Sequence, residues 1–514
     1  MTTGARVLLD TAAAHGIDVC FANPGTTEMP IVEALDAVPA IRPVLGLFEG
    51  VCTGAADGFA RIAGRPASTL LHLGPGFANG IANLHNARRA HSPVLNVVGD
   101  HASWHLAYDA PLTSDIHSLA RPVSGWVATC AAADRLAADT AAAIHATSTF
   151  PRLPATLVVP LDHQQATVPA RVPAPGPVPT RPRVGGDVVE ECAKALRAAR
   201  TTVLLLGDDA LTERGQRAAA AILAATGATA FSETFPAVAE RGGGLPDVDR
   251  LPYFPEVAQK ALAEADLVLL VGAREPVSYF GYAGIPALLA PPGSVRTLAR
   301  PGEDGAGALA DLAEALGAPP ARAATVDPIT APQSGELTPQ TVGAVLAAHL
   351  PDGAIVSVEG GTCGYPFFTA SARAARHTTI TNTGGAIGQG LPVAVGAAIA
   401  APGRRVIALQ SDGSAQYTIQ ALWTMAREQL PITVLVAANQ RYGVLQAELG
   451  RIGAPLDGPA TRSLTALTEP SIGFVELATG YGVPAVRAAS VPDLTAELGR
   501  ALAAGGPALI EMAL

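Results

Sequence analysis

The sequence is poor in charge. Asp, Glu, Lys and Arg supply 15% of its 514 residues, against about 25% in a typical soluble chain. Hydrophobic residues reach 49%, which excludes a disordered chain, since such chains are polar and highly charged. Two stretches, residues 66–87 and 378–403, carry no formal charge, and each is long enough to span a bilayer. Neither is apolar enough to do so. The first holds His72, Asn79, Asn83, His85 and Asn86; the second holds Asn382, Gln389, Pro392 and six glycines. Both read as buried segments of a soluble protein with no membrane contact. Basic runs are also missing and the net charge is −10, which argues against nucleic acid as a partner. The N-terminus lacks a basic region followed by an apolar core, so the expected location is cytoplasmic. The five cysteines, Cys20, Cys52, Cys130, Cys192 and Cys363, form no CxxC pair and no zinc-type spacing with His, and they read as buried thiols. Aromatics are only 4%, so the core is expected to be built from Ala, Val and Leu.

Two Pro-rich stretches, 168–186 and 317–339, punctuate the chain. Repeated proline disfavours helix and central strand, so they read as extended linkers. The second ends in a helix start, with Thr338 as cap and Pro339 in the first helical position. They divide the chain into 1–167, 184–316 and 338–514. Candidate strands are 68–73, 94–98, 155–159, 202–206, 267–271, 355–358, 405–409, 432–437 and 508–512. They are continuous apolar runs separated by Ala-rich helical stretches, the pattern of parallel sheets covered on both faces. The expected fold is three α/β domains, each a doubly wound parallel sheet. The segments GAADGFARIAGRPASTLLHL and AVGAAIAAPGRRVIALQSDG echo each other in the first and third pieces. Each has a small-residue helix, a Gly-Arg turn and a strand. A duplication and a coincidence of composition both account for this.

In open parallel sheets, ligands bind beyond the carboxyl ends of strands. After the run 405–409 comes Gln410-Ser411-Asp412-Gly413-Ser414, where the Asp offers a hard oxygen and the following helix start offers N–H groups. After 432–437 comes Asn439-Gln440-Arg441-Tyr442-Gly443, with amide and carbonyl oxygens. Each alone reads as a helix cap or a turn. Together, on neighbouring strands, they suit Mg²⁺ whose octahedron is completed by phosphate oxygens. Residues 384–390, Gly-Gly-Ala-Ile-Gly-Gln-Gly, lack the dinucleotide spacing, and no Gly-Lys-Ser/Thr exists for a P-loop. In the first piece, Asn23-Pro24-Gly25-Thr26, Glu49 and His72 all sit at the ends of apolar runs. Singly, each has an ordinary structural reading.

Taken together, these elements resemble the thiamine-diphosphate enzymes of the acetolactate synthase, pyruvate oxidase and benzoylformate decarboxylase group, over essentially the whole chain. Ser411-Asp412-Gly413-Ser414, with Asn439 coming 27 residues after Asp412, is similar to the Gly-Asp-Gly…Asn signature of that family, with Ser411 in place of the first glycine. The resemblance implies a pyrimidine-binding domain, a Rossmann-like central domain and a diphosphate-binding domain. It implies Mg²⁺ held by Asp412, Asn439 and the carbonyl of Arg441, and Glu49 as the cofactor-activating carboxyl. Ile387 matches the apolar wedge beneath the cofactor. Gly361 and Thr362 match diphosphate contacts, and Gly385, Gly413, Ser414, Tyr442 and Gly443 match cofactor-lining positions. Asn23, Pro24 and Gly25 match the loop opposite the cofactor. Thr26 matches a substrate-binding serine and His72 a proton-transfer histidine. His101, His105 and His117 are further histidines near the expected mouth. In the family the site lies between subunits, so a homodimer or homotetramer is implied.

Which member it resembles is divided. Asn23-Pro24-Gly25-Thr26, Leu71-His72-Leu73 and Ala421-Leu422-Trp423-Thr424 look like benzoylformate decarboxylase. The second histidine of that enzyme falls near Tyr279-Phe280, where this chain has none. Gly74 to Asn79 and the 114–122 segment look like acetolactate synthase, whose active-site glutamine falls at Leu112. FAD is not expected in the short middle piece. The implied activity is decarboxylation of a small 2-oxo acid, releasing an aldehyde or joining the fragment to a second carbonyl. An inert partner subunit of this fold is the alternative, and the presence of Glu49 and Asp412 argues against it.

Overall fold

A computed structural model of the chain describes residues 1–321 and 329–514. Part of the second Pro-rich stretch, 322–328, lies outside the described residues. The first stretch is extended and mostly exposed between residues 169 and 185, as its prolines require. Thr338 accepts the Thr341 N–H at 3.1 Å and caps the helix Pro339–His349.

The first parallel sheet holds β1 (Val19–Asn23), β2 (Arg42–Leu45), β3 (Ala67–His72), β4 (Val94–Asp100), β5 (Trp126–Thr129) and β6 (Ala155–Pro160), in the order β2-β1-β3-β4-β6-β5. The second holds β7 (Thr202–Leu206), β8 (Thr229–Ser232), β10 (Asp249–Arg250), β11 (Leu267–Val271) and β12 (Val295–Ala299), in the order β10-β8-β7-β11-β12. That is the nucleotide-fold order, with its switch point between β7 and β11. The third sheet has β13 (Ala354–Glu359), β14 (His377–Thr381), β15 (Val406–Ser411), β16 (Ile432–Ala438), β17 (Ala485–Ala488) and β18 (Ala508–Ala513), ordered β14-β13-β15-β16-β18-β17. The middle piece also sends β9 (Val238–Arg241) across to pair antiparallel with β14, so backbone hydrogen bonds cross the division read from the prolines.

The first and third sheets share one strand order. The echoed segments occupy equivalent places in them. Helix α1 (Glu49–Ala63) turns at Gly64 (φ +67°) into β3. Helix α4 (Gly390–Ala400) turns at Gly403 (φ +91°) into β15. Gly64 takes the left-handed backbone that closes a helix, and Gly403 takes a positive φ in the turn that leads from α4 to the strand. A shared topology supports duplication, because composition alone does not dictate strand order.

The charge-poor stretch 378–403 is buried for a specific reason. α1 and α4 cross with their backbones nearly touching. A Cβ on Gly396 would lie 1.8 Å from the Ala55 carbonyl, and one on Gly58 would lie 2.2 Å from the Val393 carbonyl. No charged side chain fits such a crossing. One apolar core runs through it, from Phe21 and Val98 in the first sheet to Leu391 and Val434 in the third. Asp57 and Arg61 form a buried ion pair beside it, and Arg61 also donates to the Thr381 carbonyl at 2.8 Å. Among the described residues, no helix is long and apolar enough to cross a membrane. All five cysteines are buried and free.

Candidate active site

Parallel pairing of β15 with β16 brings two strand ends side by side, with Ser411 opposite Ala437. Asp412 follows the first strand directly and Asn439 follows the second. Asp412 Oδ1 accepts the Gly413 N–H at 2.8 Å, and Oδ2 accepts the Gln440 N–H at 2.6 Å. Asn439 donates to Thr362 Oγ1 at 3.3 Å and accepts the Arg441 N–H at 3.1 Å. Thr362 opens helix α3 (Gly361–Ser371), which starts at the end of β13. Gly361, Thr362, Asp412, Gly413, Ser414 and Asn439 therefore meet at the carboxyl ends of three adjacent strands. The Tyr442 ring lies on Gly413, where a Cβ would be 2.4 Å from its Cε1. The Arg441 carbonyl accepts the Gly443 N–H at 3.0 Å, leaving one lone pair free.

Asp412 is 2% exposed, and burial pushes its pKa up. Its partners are backbone N–H groups, and no ion pair neutralises it among the described residues. A buried carboxylate without a counter-ion is costly, and a divalent cation would remove that cost. The neighbouring donors are an amide and a carbonyl, both hard oxygens suited to Mg²⁺. No group of three or more His, Cys, Asp or Glu placed to hold a metal ion occurs among the described residues. The chain alone thus offers an incomplete shell, of the kind that ligand phosphates complete. Open space lies beside Gly361 and Gly385, so the residues fit a diphosphate and its metal.

The glycine-rich bed is held from below by Glu359, a residue with no evident signal in the sequence beyond its place at a strand end. Its buried carboxylate accepts the N–H groups of Gly388, Gln389 and Gly390 at 2.6, 3.1 and 2.7 Å. Burial pushes its pKa up to about 7 against those three bonds. Gly388 needs its positive φ of +94°, and Ile387 stands at the crest of the bed, 37% exposed.

The third group gathers at the carboxyl ends of β1 and β3. Glu49 is the first residue of α1, where the helix dipole favours an acid. Its Oε2 accepts from Asn79 Nδ2 at 2.9 Å. His72 ends β3, and Leu73 turns through a positive φ of +52° into helix α2 (Leu73–Arg89). Gly76 lies between them: a Cβ there would be 3.1 Å from Glu49 Oε1 and 3.2 Å from His72 Cβ. The Asn23-Pro24-Gly25-Thr26 loop passes over the imidazole, and Gly25 leaves it room, since a Cβ would lie 2.4 Å from His72 Nδ1. Thr26 is exposed; its neighbour Thr27 is buried and lies 3.2 Å from His72 Nδ1.

The remaining histidines are placed elsewhere. His101 and His105 pack ring to ring at 5.3 Å, beside exposed Trp104 and Tyr108. His117 Nε2 lies 2.8 Å from Thr129 Oγ1. Tyr279 packs on Phe235 and Tyr253 in the middle piece. Among the described residues, no hydrogen bond or ion pair joins the Glu49–His72 group to Asp412 or Asn439.

Comparison with known proteins identifies the family. The N-terminal TPP binding domain of thiamine pyrophosphate enzymes matches residues 2–119, and the C-terminal TPP binding domain matches 361–512. A Mycobacterium tuberculosis protein provisionally named acetolactate synthase large subunit IlvX is 48% identical, over 99% of this chain and 98% of its own length. A benzoylformate decarboxylase of Pseudomonas aeruginosa is 32% identical, over 97% of this chain and 96% of its own. The solved structure of a thiamine diphosphate-dependent 4-hydroxybenzoylformate decarboxylase from Rhodococcus jostii RHA1 superposes with a TM-score of 0.85 at 27% identity, covering 100% of this chain and 99% of that one. The chain belongs to the thiamine-diphosphate-dependent enzymes, in the family that includes the acetolactate synthases and benzoylformate decarboxylases.

Proposed function

We propose that this enzyme is a thiamine-diphosphate- and Mg²⁺-dependent 2-oxo acid decarboxylase and carboligase of the acetolactate synthase large subunit type. The observation that carries the metal assignment is the buried, cation-free carboxylate of Asp412 beside Asn439. In this reading Asp412, Asn439 and the Arg441 carbonyl hold the metal. Gly361, Thr362, Gly413 and Ser414 hold the diphosphate, with Gly385, Tyr442 and Gly443 lining it. Ile387 props the cofactor from its glycine bed. When bound, thiamine diphosphate supplies an acidic carbon that adds to a ketone and an electron sink for loss of carbon dioxide.

The chain's own groups do the rest. Glu49, oriented by Asn79, hydrogen-bonds the cofactor's pyrimidine ring and holds a proton there. Asn23, Pro24, Gly25 and Thr26 bound the substrate side, and His72 moves a proton at its ring nitrogen. The uncharged walls, residues 66–87 and 378–403, keep the pocket low in polarity, which favours loss of a carboxylate. No hydrogen bond or ion pair joins the Glu49 and Asp412 groups among the described residues, which is consistent with the homodimer or homotetramer, its partner completing each site, that the family resemblance implies.

Flavin does not fit this reading. At the switch point of the middle sheet, a Cβ on Gly207 would lie 2.7 Å from the Gly272 carbonyl, so the two strand ends close on each other. Asp208 is engaged by Arg181 at 2.6 and 2.7 Å. Asp209 and Glu233 sit nearby, with pKa values pushed by burial to about 6 and about 7. Dinucleotide phosphates would meet three carboxyl groups there. The purified protein is expected to show no flavin absorbance, and a stoichiometric flavin spectrum would overturn this point.

A panel of pyruvate, 2-oxobutyrate, benzoylformate, 2-oxoglutarate and sulfopyruvate, with thiamine diphosphate and Mg²⁺, tests the function. Carbon dioxide together with a hydroxyketone or 2-hydroxy-2-keto acid from an aliphatic acid is expected. The second reading is a benzoylformate decarboxylase-type enzyme, favoured by the retained His72 in its loop-covered pocket. Aldehyde alone from benzoylformate would select it. No turnover of any of these acids would count against both.

A further inference from the structure

Glu28 is one of the most buried acids in the chain, with no exposed surface. It lies under the Asn23–Thr26 loop, and both of its carboxylate oxygens are engaged there. Oε1 accepts the Thr27 hydroxyl at 2.6 Å. Oε2 accepts the Gly25 N–H at 2.7 Å and faces His72 Nδ1 at 2.8 Å. The strand beneath is shaped for it, since a Cβ on Gly99 would lie 1.8 Å from Glu28 Oε1.

The state of the imidazole follows from counting protons. Two atoms face Nδ1: Glu28 Oε2 and Thr27 Oγ1, the latter at 3.2 Å. An ionised carboxylate only accepts. The single hydroxyl proton of Thr27 is committed to Glu28 Oε1, so toward Nδ1 it offers a lone pair. Nδ1 is thus surrounded by acceptors and has to carry the proton, and in the neutral ring this leaves Nε2 bare. Gly25 over the ring face and Gly76 against His72 Cβ hold the ring in that plane.

We propose that Glu28 is the positioning residue of His72: its carboxylate fixes the Nδ1–H tautomer and presents Nε2 as the nitrogen that exchanges protons with the pocket. This rests on the reading of His72 as the proton-transfer group. In the exchange, Nε2 takes a proton from a hydronium ion, which leaves as water, and the ring becomes an imidazolium; this is the one proton that conversion of a 2-oxo acid anion to aldehyde and carbon dioxide consumes. The Glu28 carboxylate, 2.8 Å from Nδ1, balances that charge. The same proton then leaves from Nε2 to the acceptor, and the ring returns to neutral. The arrangement follows the general logic of a buried carboxylate orienting a catalytic imidazole.

The test uses the full chain with ¹⁵N-labelled histidine, with and without thiamine diphosphate and Mg²⁺. Long-range ¹H–¹⁵N spectra report the protonated nitrogen, and the His72 signals are those lost in His72→Asn. Nδ1 is expected to be protonated in the neutral ring; a protonated Nε2 would overturn the proposal. Glu28→Leu removes the acceptor and is expected to populate the Nε2–H form; an unmoved tautomer in a folded variant would overturn it. Glu28→Gln preserves shape and one acceptor oxygen, so the tautomer should persist while kcat falls about tenfold or more at unchanged KM, because the imidazolium loses its counter-charge. Wild-type kcat in Glu28→Gln would also overturn it. A purely structural Glu28 would lower the thermal midpoint and leave the tautomer and the kcat–KM split unmoved. Full turnover by His72→Asn would instead refute the role of His72 itself, a failure visible separately from the tautomer result.

Discussion

Asn79 donates its side-chain N–H to Glu49 Oε2 across 2.9 Å, from the first turns of one helix to the first residue of another. The bond sets the direction of the carboxyl that the proposed mechanism aims at the cofactor. Glu49→Gln is expected to retain cofactor binding and to slow exchange of the cofactor's acidic proton about a hundredfold, the usual scale for a lost acid–base group. Proton exchange followed by NMR in deuterium oxide measures it, and an unchanged rate would refute the assignment. Asn79→Ala should give a smaller loss in the same assay.

Asp412→Ala removes the one carboxylate of the metal group. Calorimetry should show no Mg²⁺-dependent binding of thiamine diphosphate to this variant. Asn439→Ala should weaken that binding without abolishing it, because an amide is the poorer ligand. Wild-type affinity in Asp412→Ala would remove the metal from these strand ends.

Gly396→Ala tests the crossing of α1 and α4. The new methyl would meet the Ala55 carbonyl at 1.8 Å, so the helices have to part. A stability loss of about 1–3 kcal/mol is expected from overpacking, read by chemical denaturation. Cofactor affinity should fall with it, since these two helices carry Glu49 and the end of the glycine bed.

His377 gives an acid-side pH dependence. Burial lowers its pKa to about 4, its Nδ1–H donates to the Ala375 carbonyl, and Nε2 is buried without a partner. A folded pKa below the unfolded value of about 6.5 means that the unfolded chain binds the extra proton. This contribution to stability is complete above about pH 6.5 and is lost as pH falls toward 4, by about 3 kcal/mol. His377→Leu should flatten the stability profile in that window, as urea titrations at pH 7 and pH 4.5 would show.

Much of the architecture was legible along the chain because it is written in local chemistry. Apolar runs of strand length, the Thr338-Pro339 helix start and the Pro-rich linker before Gly185 each depend on residues within a few positions. Strands such as His377–Thr381 and Trp126–Thr129 were harder to read. The first is threonine-rich and runs into the glycine bed; the second is only four residues long. The edge strand Val238–Arg241 carries no local sign that it crosses to another sheet.

The division at the site itself is sharper. Asp412 and Asn439 could be named from residue type at the ends of neighbouring apolar runs, Glu49 and His72 only through the family resemblance. Their partners could not. His72 meets Glu28 across 44 residues of sequence, Asn79 meets Glu49 across 30, and Glu359 meets Gly388 across 29. Which residue type stands at a strand end is a one-dimensional property, and so is the turn chemistry around it. Which carboxylate is buried, and which N–H reaches it, depends on the strand order that sets neighbours in space. Only there do desolvation and hydrogen bonding decide what a side chain can hold.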